Sequence, residues 1–78
     1  MKGEIHMEIN CNLIEIDEIK EFVQLANKCK DKITVKSNGY IVDGKSILGI
    51  FSLDLSKPVI VEVKNHEDAL LISSYCHK

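Results

Sequence analysis

The sequence contains no arginine, so all ten of its cationic side chains are lysines. That removes the planar bidentate fork which best grips phosphate and carboxylate oxygens, and leaves only point-like ammonium charges. Tryptophan is also absent, and there are one proline, two tyrosines and two phenylalanines. With 45% hydrophobic and 28% charged residues, this composition excludes collagen-like and low-complexity disordered chains. No apolar run approaches the roughly 20 residues that span a bilayer, and the N-terminus lacks the apolar core of a secretory signal. A cytoplasmic location, with no membrane partner, is the resulting expectation. The three cysteines, Cys11, Cys29 and Cys76, are odd in number and show no C-x-x-C spacing. A disulfide framework or zinc module is therefore not expected. Reduced thiols are expected instead: Cys29 and Cys76 read as small hydrophobes in helical patterns, and Cys11 as the one to test for reactivity.

The 78 residues read as a single domain, 1–78, too small for a deep active-site cavity. The net charge of -2 is unevenly spread. Residues 1–27 hold six acids (Glu4, Glu8, Glu15, Asp17, Glu18, Glu21) and two lysines, whereas the remainder holds six acids and eight lysines. No basic stripe interleaved with aromatics is present, so direct nucleic-acid binding is not expected.

Ile5, Met7 and Ile9 alternate with polar residues as in a half-buried strand. From Asp17, a plausible N-cap, Ile19, Phe22, Val23, Ala26 and Cys29 follow helical spacing. Ile33 and Val35, the turn residues Ser37-Asn38-Gly39, and Tyr40-Ile41-Val42 read as a hairpin. Ser46 can cap a short helix running to about Ser52. Val59–Val63 is the strongest strand signal, β-branched almost throughout. Asn65 or Asp68 can cap a final helix reaching Tyr75 and Cys76. The order strand, helix, strand, strand, helix, strand, helix predicts an α+β open-faced sandwich, since helix stripes and a sheet face bury apolar surface only against each other.

The segment Gly44-Lys45-Ser46-Ile47-Leu48-Gly49-Ile50-Phe51-Ser52-Leu53 resembles the regulatory-serine segment of the HPr family of phosphocarrier proteins. There a Lys-Ser pair ends a strand, and an apolar run follows in which Leu48 and Phe51 here replace two methionines. With the Asn38-Gly39 turn and the order of apolar runs, the resemblance covers about residues 3 to 77. It implies a four-stranded antiparallel sheet, in the order first-fourth-second-third, covered on one face by three helices. It also implies a bacterial phosphotransferase-system protein of sugar transport from a Gram-positive, clostridial-type bacterium. HPr proteins carry a Gly-x-His-Ala-Arg-Pro-type motif before the first helix, and laid onto this chain it falls on Asn12-Leu13-Ile14-Glu15-Ile16-Asp17-Glu18. The acceptor histidine corresponds to Glu15, the arginine to Asp17 and the proline to Glu18. His6, His66 and His77 lie elsewhere.

The expectation is thus a regulatory or adaptor HPr, similar to the catabolite-repression branch, that is not an enzyme, has lost histidine phosphotransfer and needs no cofactor or metal. The resemblance implies Ser46 as a site of regulatory phosphorylation, and Lys45, Ile47, Leu48 and Phe51 as a partner-binding surface. The implied partners are a serine kinase/phosphorylase, a transcriptional regulator or phosphotransferase-system components, engaged by a monomer. Two alternatives stay open: an active phosphocarrier with a non-standard acceptor, and a decoy module that is never phosphorylated. A carboxylate acceptor at Glu15 or Asp17 would form an acyl phosphate. A bland reading also exists for each site, namely a serine N-cap worth about 1 kcal/mol and acids favoured by a helix dipole.

Overall fold

The computed structural model describes residues 7–76. Ile5, His6 and His77, cited above, lie outside the described residues. The elements are β1 (Met7–Cys11), α1 (Ile16–Asn27), β2 (Thr34–Ser37), β3 (Tyr40–Asp43), α2 (Ile47–Phe51), β4 (Val59–Val63) and α3 (His66–Cys76). They form one antiparallel sheet in the order β1-β4-β2-β3, with three helices against one face. This is the α+β open-faced sandwich expected from the order of elements.

The sheet is organised by β4, whose Val59, Val61 and Val63 are fully buried. Val61 pairs with Ile9 on one side and Val35 on the other. Phe22, Ala26, Ile50 and Ile72 close over these residues from the three helices. The opposite face mixes charged residues with Ile41 and Ile60. Glu8 lies directly across from Glu62, a like-charge pair that would repel. Lys36 of β2 answers it, with Nζ 3.2 Å from Glu62 and 3.6 Å from Glu8.

The hairpin turn falls on Asn38 (φ 50°) and Gly39 (φ 83°). Two positive φ values in succession give the turn twist that antiparallel strands need, and glycine and asparagine adopt them most readily. Gly44 is required for a different reason. A Cβ placed on it would lie 2.6 Å from Ile33 Cγ2, so the chain can pass close to Ile33 only without a side chain. Gly44 N donates to Ile33 O across this contact at 2.7 Å.

Of the two cap candidates for α3, Asn65 takes the role: its Oδ1 accepts from Asp68 N at 2.8 Å. Asp68 instead turns inward and is 1% exposed. Its Oδ1 accepts from Lys30 N at 3.1 Å, and its Oδ2 accepts from Asp31 N at 3.0 Å and from Asn65 Nδ2 at 2.8 Å. Burial works against its charge. The N–H groups of Asp31 and Lys30, the Asn65 amide and the Cys29 thiol outweigh burial and hold the carboxyl below its ordinary value. Asp68 thereby fastens the start of α3 to the turn between α1 and β2. His66 is the first residue of α3.

The cysteines depart from expectation. Cys11 and Cys76 form a disulfide, with their Cα atoms 4.9 Å apart, and only Cys29 among the described cysteines is a free thiol. Topology brings the pair together. Met7 and His66 line one small cavity at the start of β1 and α3, and from there the strand and the helix each run roughly 15 Å at ordinary rise per residue. Their last residues therefore meet. No helix among the described residues is long and apolar enough to cross a membrane.

Two stability predictions follow from these ties. Asp68→Asn should cost about 1–3 kcal/mol at pH 7. That deficit should shrink as pH falls below about 3.9, because a carboxyl with a depressed folded pKa loses its stabilisation as it protonates. Urea unfolding between pH 7 and pH 3 measures both effects. The disulfide closes a chain separation of 65 residues, so reducing it should remove about 2–4 kcal/mol and lower Tm by roughly 10–25 °C, read by calorimetry with and without reductant.

Candidate functional site

Two segments carry the expected functional residues: Asn12–Glu18 at the N-terminus of α1, and the β3–α2 junction, where Lys45 is tied to Asn27 and Cys29 at the other end of that helix. At its N-terminus the N-cap is Glu15, not Asp17 as the sequence suggested. The helix begins two residues earlier because Glu18 reaches back: its Oε1 accepts from both Ile14 N and Glu15 N at 3.0 Å. The Glu15 N–H is one of the donors that a helix start leaves without an intrahelical partner, and the Ile14 N–H lies just before it. The first true helical bond then runs from Ile19 N to Glu15 O at 3.1 Å. Glu15 and Asp17 are both exposed, and Asp17 sits in the first turn.

Leu13 is buried, while Ile14 and Ile16 on either side of Glu15 are 73% and 58% exposed. This apolar flank was not legible from the sequence, since Ile16 keeps helical phase with buried Ile19. The loop is also tied to α3 in two places, first through Cys11 and Cys76. Second, the Tyr75 hydroxyl lies 3.0 Å from both Glu18 O and Glu21 Oε1 and donates between them. Burial first, then the hydrogen bond and charge of Glu21, push the Tyr75 phenol up to about 12.

The second segment joins β3 to α2. Ser46 is the N-cap of α2, and its Oγ accepts from Gly49 N at 3.1 Å. The backbone before it is pinned by Asp43, whose Oδ1 accepts from Lys45 N at 2.9 Å. The Lys45 side chain does not turn toward Ser46. Its ammonium donates to Cys29 O at 3.2 Å, and Asn27 Nδ2 donates to Lys45 O at 3.3 Å. Ser46 is thus held against the C-terminal end of α1. Within α2, Ile50 is fully buried, Ile47 is half-buried against the core, and Leu48 (78%) and Phe51 (42%) are exposed. Of the four expected surface residues, Leu48 and Phe51 present exposed apolar area, while Lys45 and Ile47 are half-buried.

The twelve residues of α1 span about 18 Å from its start beside Glu15 to the end that holds Lys45 and Ser46. That exceeds the screening length of about 8 Å at physiological ionic strength, so a charge added at one end acts weakly on the other. The remaining thiol is chemically quiet. Burial first, then the Asp68 charge, push Cys29 up to about 11. Cys11 and His66, a conceivable nucleophile and base, are not brought together as one, because Cys11 is bonded to Cys76.

Comparison with known proteins gives this geometry a family. Residues 14–70 match the family described as PTS HPr component phosphorylation site. The fold is similar to that of the phosphocarrier protein HPr from Bacillus anthracis, with a TM-score of 0.76 at 20% identity, covering 97% of this chain and 96% of that one. A Thermoanaerobacter tengcongensis HPr gives 0.73 at 27% identity, covering 97% and 92%. Bacillus subtilis Crh, a catabolite-repression protein solved as a domain-swapped dimer, gives 0.68 at 22% identity, covering 99% and 93%. No curated protein matches by sequence. The chain belongs to the HPr-like phosphocarrier family of the phosphotransferase system, a family that interacts with other proteins of that system.

Substitutions in α2 should separate packing from surface. Ile50→Ala should cost about 2–5 kcal/mol through lost burial and a cavity. Ser46→Ala should cost about 1 kcal/mol as a lost cap, and Leu48→Ala no more than about 0.5 kcal/mol. Denaturant midpoints at pH 7 measure the series.

Proposed function

We propose that this protein is a regulatory member of the HPr family that does not relay phosphate from enzyme I, with Ser46 as its phosphorylation switch and Leu48 and Phe51 as its docking surface. The observation that carries the reading is the placement of Ser46 Oγ at the N-cap of α2, beside those two exposed apolar side chains. A phosphate there would meet the free N–H groups of the first turn and put a dianion beside the docking surface. Ile47 supports the surface from beneath. Lys45, whose ammonium is committed to the Cys29 carbonyl, contributes less than its neighbours.

In this reading Glu15 stands in the acceptor's place and Asp17 in the arginine's. Both are carboxylates at a helix start, where the dipole favours negative charge and where an incoming phosphoryl group meets repulsion rather than a cation. The partners are a serine kinase/phosphorylase, a transcriptional regulator or phosphotransferase-system proteins, in the cytoplasm of a Gram-positive bacterium. The proposed acting form is a monomer, with β1 paired to its own β4 over five residues.

The test incubates the protein separately with phosphoenolpyruvate plus enzyme I, and with ATP plus an HPr serine kinase, each read by mass spectrometry beside a competent HPr. Enzyme I should add nothing, the kinase should add one phosphate, and Ser46→Ala should abolish it. Enzyme I-dependent phosphate on His6, His66, Glu15 or Asp17 would establish an active phosphocarrier instead. No phosphate from either enzyme would favour the decoy module. Glu15→His with Asp17→Arg should regain measurable transfer, and Glu18 is best kept because its carboxylate caps Ile14 and Glu15.

A further inference from the structure

The Cys11–Cys76 bond joins the last residue of β1, four positions before Glu15, to the last residue of α3. We propose that this pair is a reversible thiol–disulfide clasp that sets how firmly the Asn12–Glu18 segment is held, leaving the Ser46 segment untouched. That the clasped segment governs phosphotransfer or docking rests on the reading above; that the clasp opens and closes does not.

Three observations converge on it. First, the clasp and Tyr75 act on the same junction. The disulfide ties α3 to the start of the loop, and the neighbouring tyrosine ties it to Glu18 and Glu21 on the first turns of α1. Breaking the bond leaves Leu13 and Ile72 buried as anchors, so loosening is confined to the loop and the last turn of α3. Second, the two sulfurs differ in access. Cys11 is 1% exposed whereas Cys76, at the helix end, is half-buried. An external thiolate therefore attacks at Cys76. Third, Cys29 is buried, away from this junction beside Asp68 and Lys45, and its raised pKa keeps it from acting as a competing thiolate. A disulfide in a cytoplasmic protein is ordinarily a redox-responsive element rather than a permanent brace.

The chemistry needs only a low-molecular-weight thiol and its disulfide. A thiolate RS⁻ bonds to Cys76 Sγ as the Cys11–Cys76 bond breaks, and Cys11 Sγ leaves with the electron pair and takes a proton. A second RS⁻ then bonds to the R sulfur, releasing Cys76 as the thiolate, which is protonated. The protein gains two electrons and two protons, and two RSH become RSSR. Closure is the reverse.

The experiment compares hydrogen exchange of the full chain equilibrated in oxidised or in reduced glutathione, with no kinase or enzyme I present. Denatured thiol counts should read one when oxidised, for Cys29, and three when reduced, interconverting reversibly. On reduction, amides in 12–18 and 73–76 should exchange at least about tenfold faster by local opening, the amides of β2, β3 and α2 that exchange by local opening should stay unchanged, and the slowest core amides should quicken only by the lost global stability. The Cys11→Ser, Cys76→Ser double variant should match the reduced protein and ignore reductant, and Cys29→Ser should remain switchable. Three thiols in the oxidised sample, equal exchange at 12–18 in both forms, or locally opening amides of α2 quickened as much as those in 12–18 would each overturn the clasp. Because no phosphoryl donor takes part, loss of the clasp would leave the Ser46 assignment standing, and the reverse.

Discussion

The rest of the structure depends on β4 being paired on both edges. Its three buried valines can be dry only if β1 and β2 flank it and helices cover it, and each covering helix must then be delivered by the chain to the same face. This requirement places α1 between β1 and β2, α2 after β3, and α3 back over β1. The two segments of interest are the loops that make those deliveries. Neither is positioned by a cavity or a bound group. Both are set by where a helix has to start, and both starts are fixed by an oxygen accepting from backbone N–H: the Glu18 carboxylate in one, the Ser46 hydroxyl in the other.

The polar contacts at the helix termini then take over where apolar packing ends. Asp68, Asn65 and Lys45 are each near an element's end, and each bridges to a backbone atom or side chain that packing alone would leave loosely placed. In so small a domain, with little core to spare, such ties carry a larger share of the specificity than they would in a bigger protein. The open sheet face shows the same economy. One lysine between two glutamates serves β1, β4 and β2 at once.

Most of the fold was legible in the sequence because its signals are local. Period-two alternation marked β1 and β4, the stripe of Ile19, Phe22 and Ala26 marked α1, and Asn38-Gly39 marked the turn. Ser46 as a cap was legible for the same reason. What escaped was non-local. Asp68 looked like a cap, and its engagement with residues 30 and 31 exists only after the chain has closed on itself. The odd cysteine count pointed to free thiols, although Cys11 shares the inward phase of Ile9 and so faces the helix layer. Parity cannot reveal a pairing that depends on a strand and a helix being equal in length. Asp17 lost the cap to Glu15 because Glu18, three residues beyond Glu15, supplied the reciprocal carboxylate.

The length of α1 between its two loaded ends bears on how such a protein can change over generations. Substitutions farther apart than about 10 Å, with no shared partner, combine nearly additively in their effects on stability. The Glu15 end and the Ser46 end meet that condition, so a lineage could rewrite the acceptor loop residue by residue without disturbing the serine segment. Inheritance can treat the two ends of one helix as separate traits, even though the fold builds them as a single body.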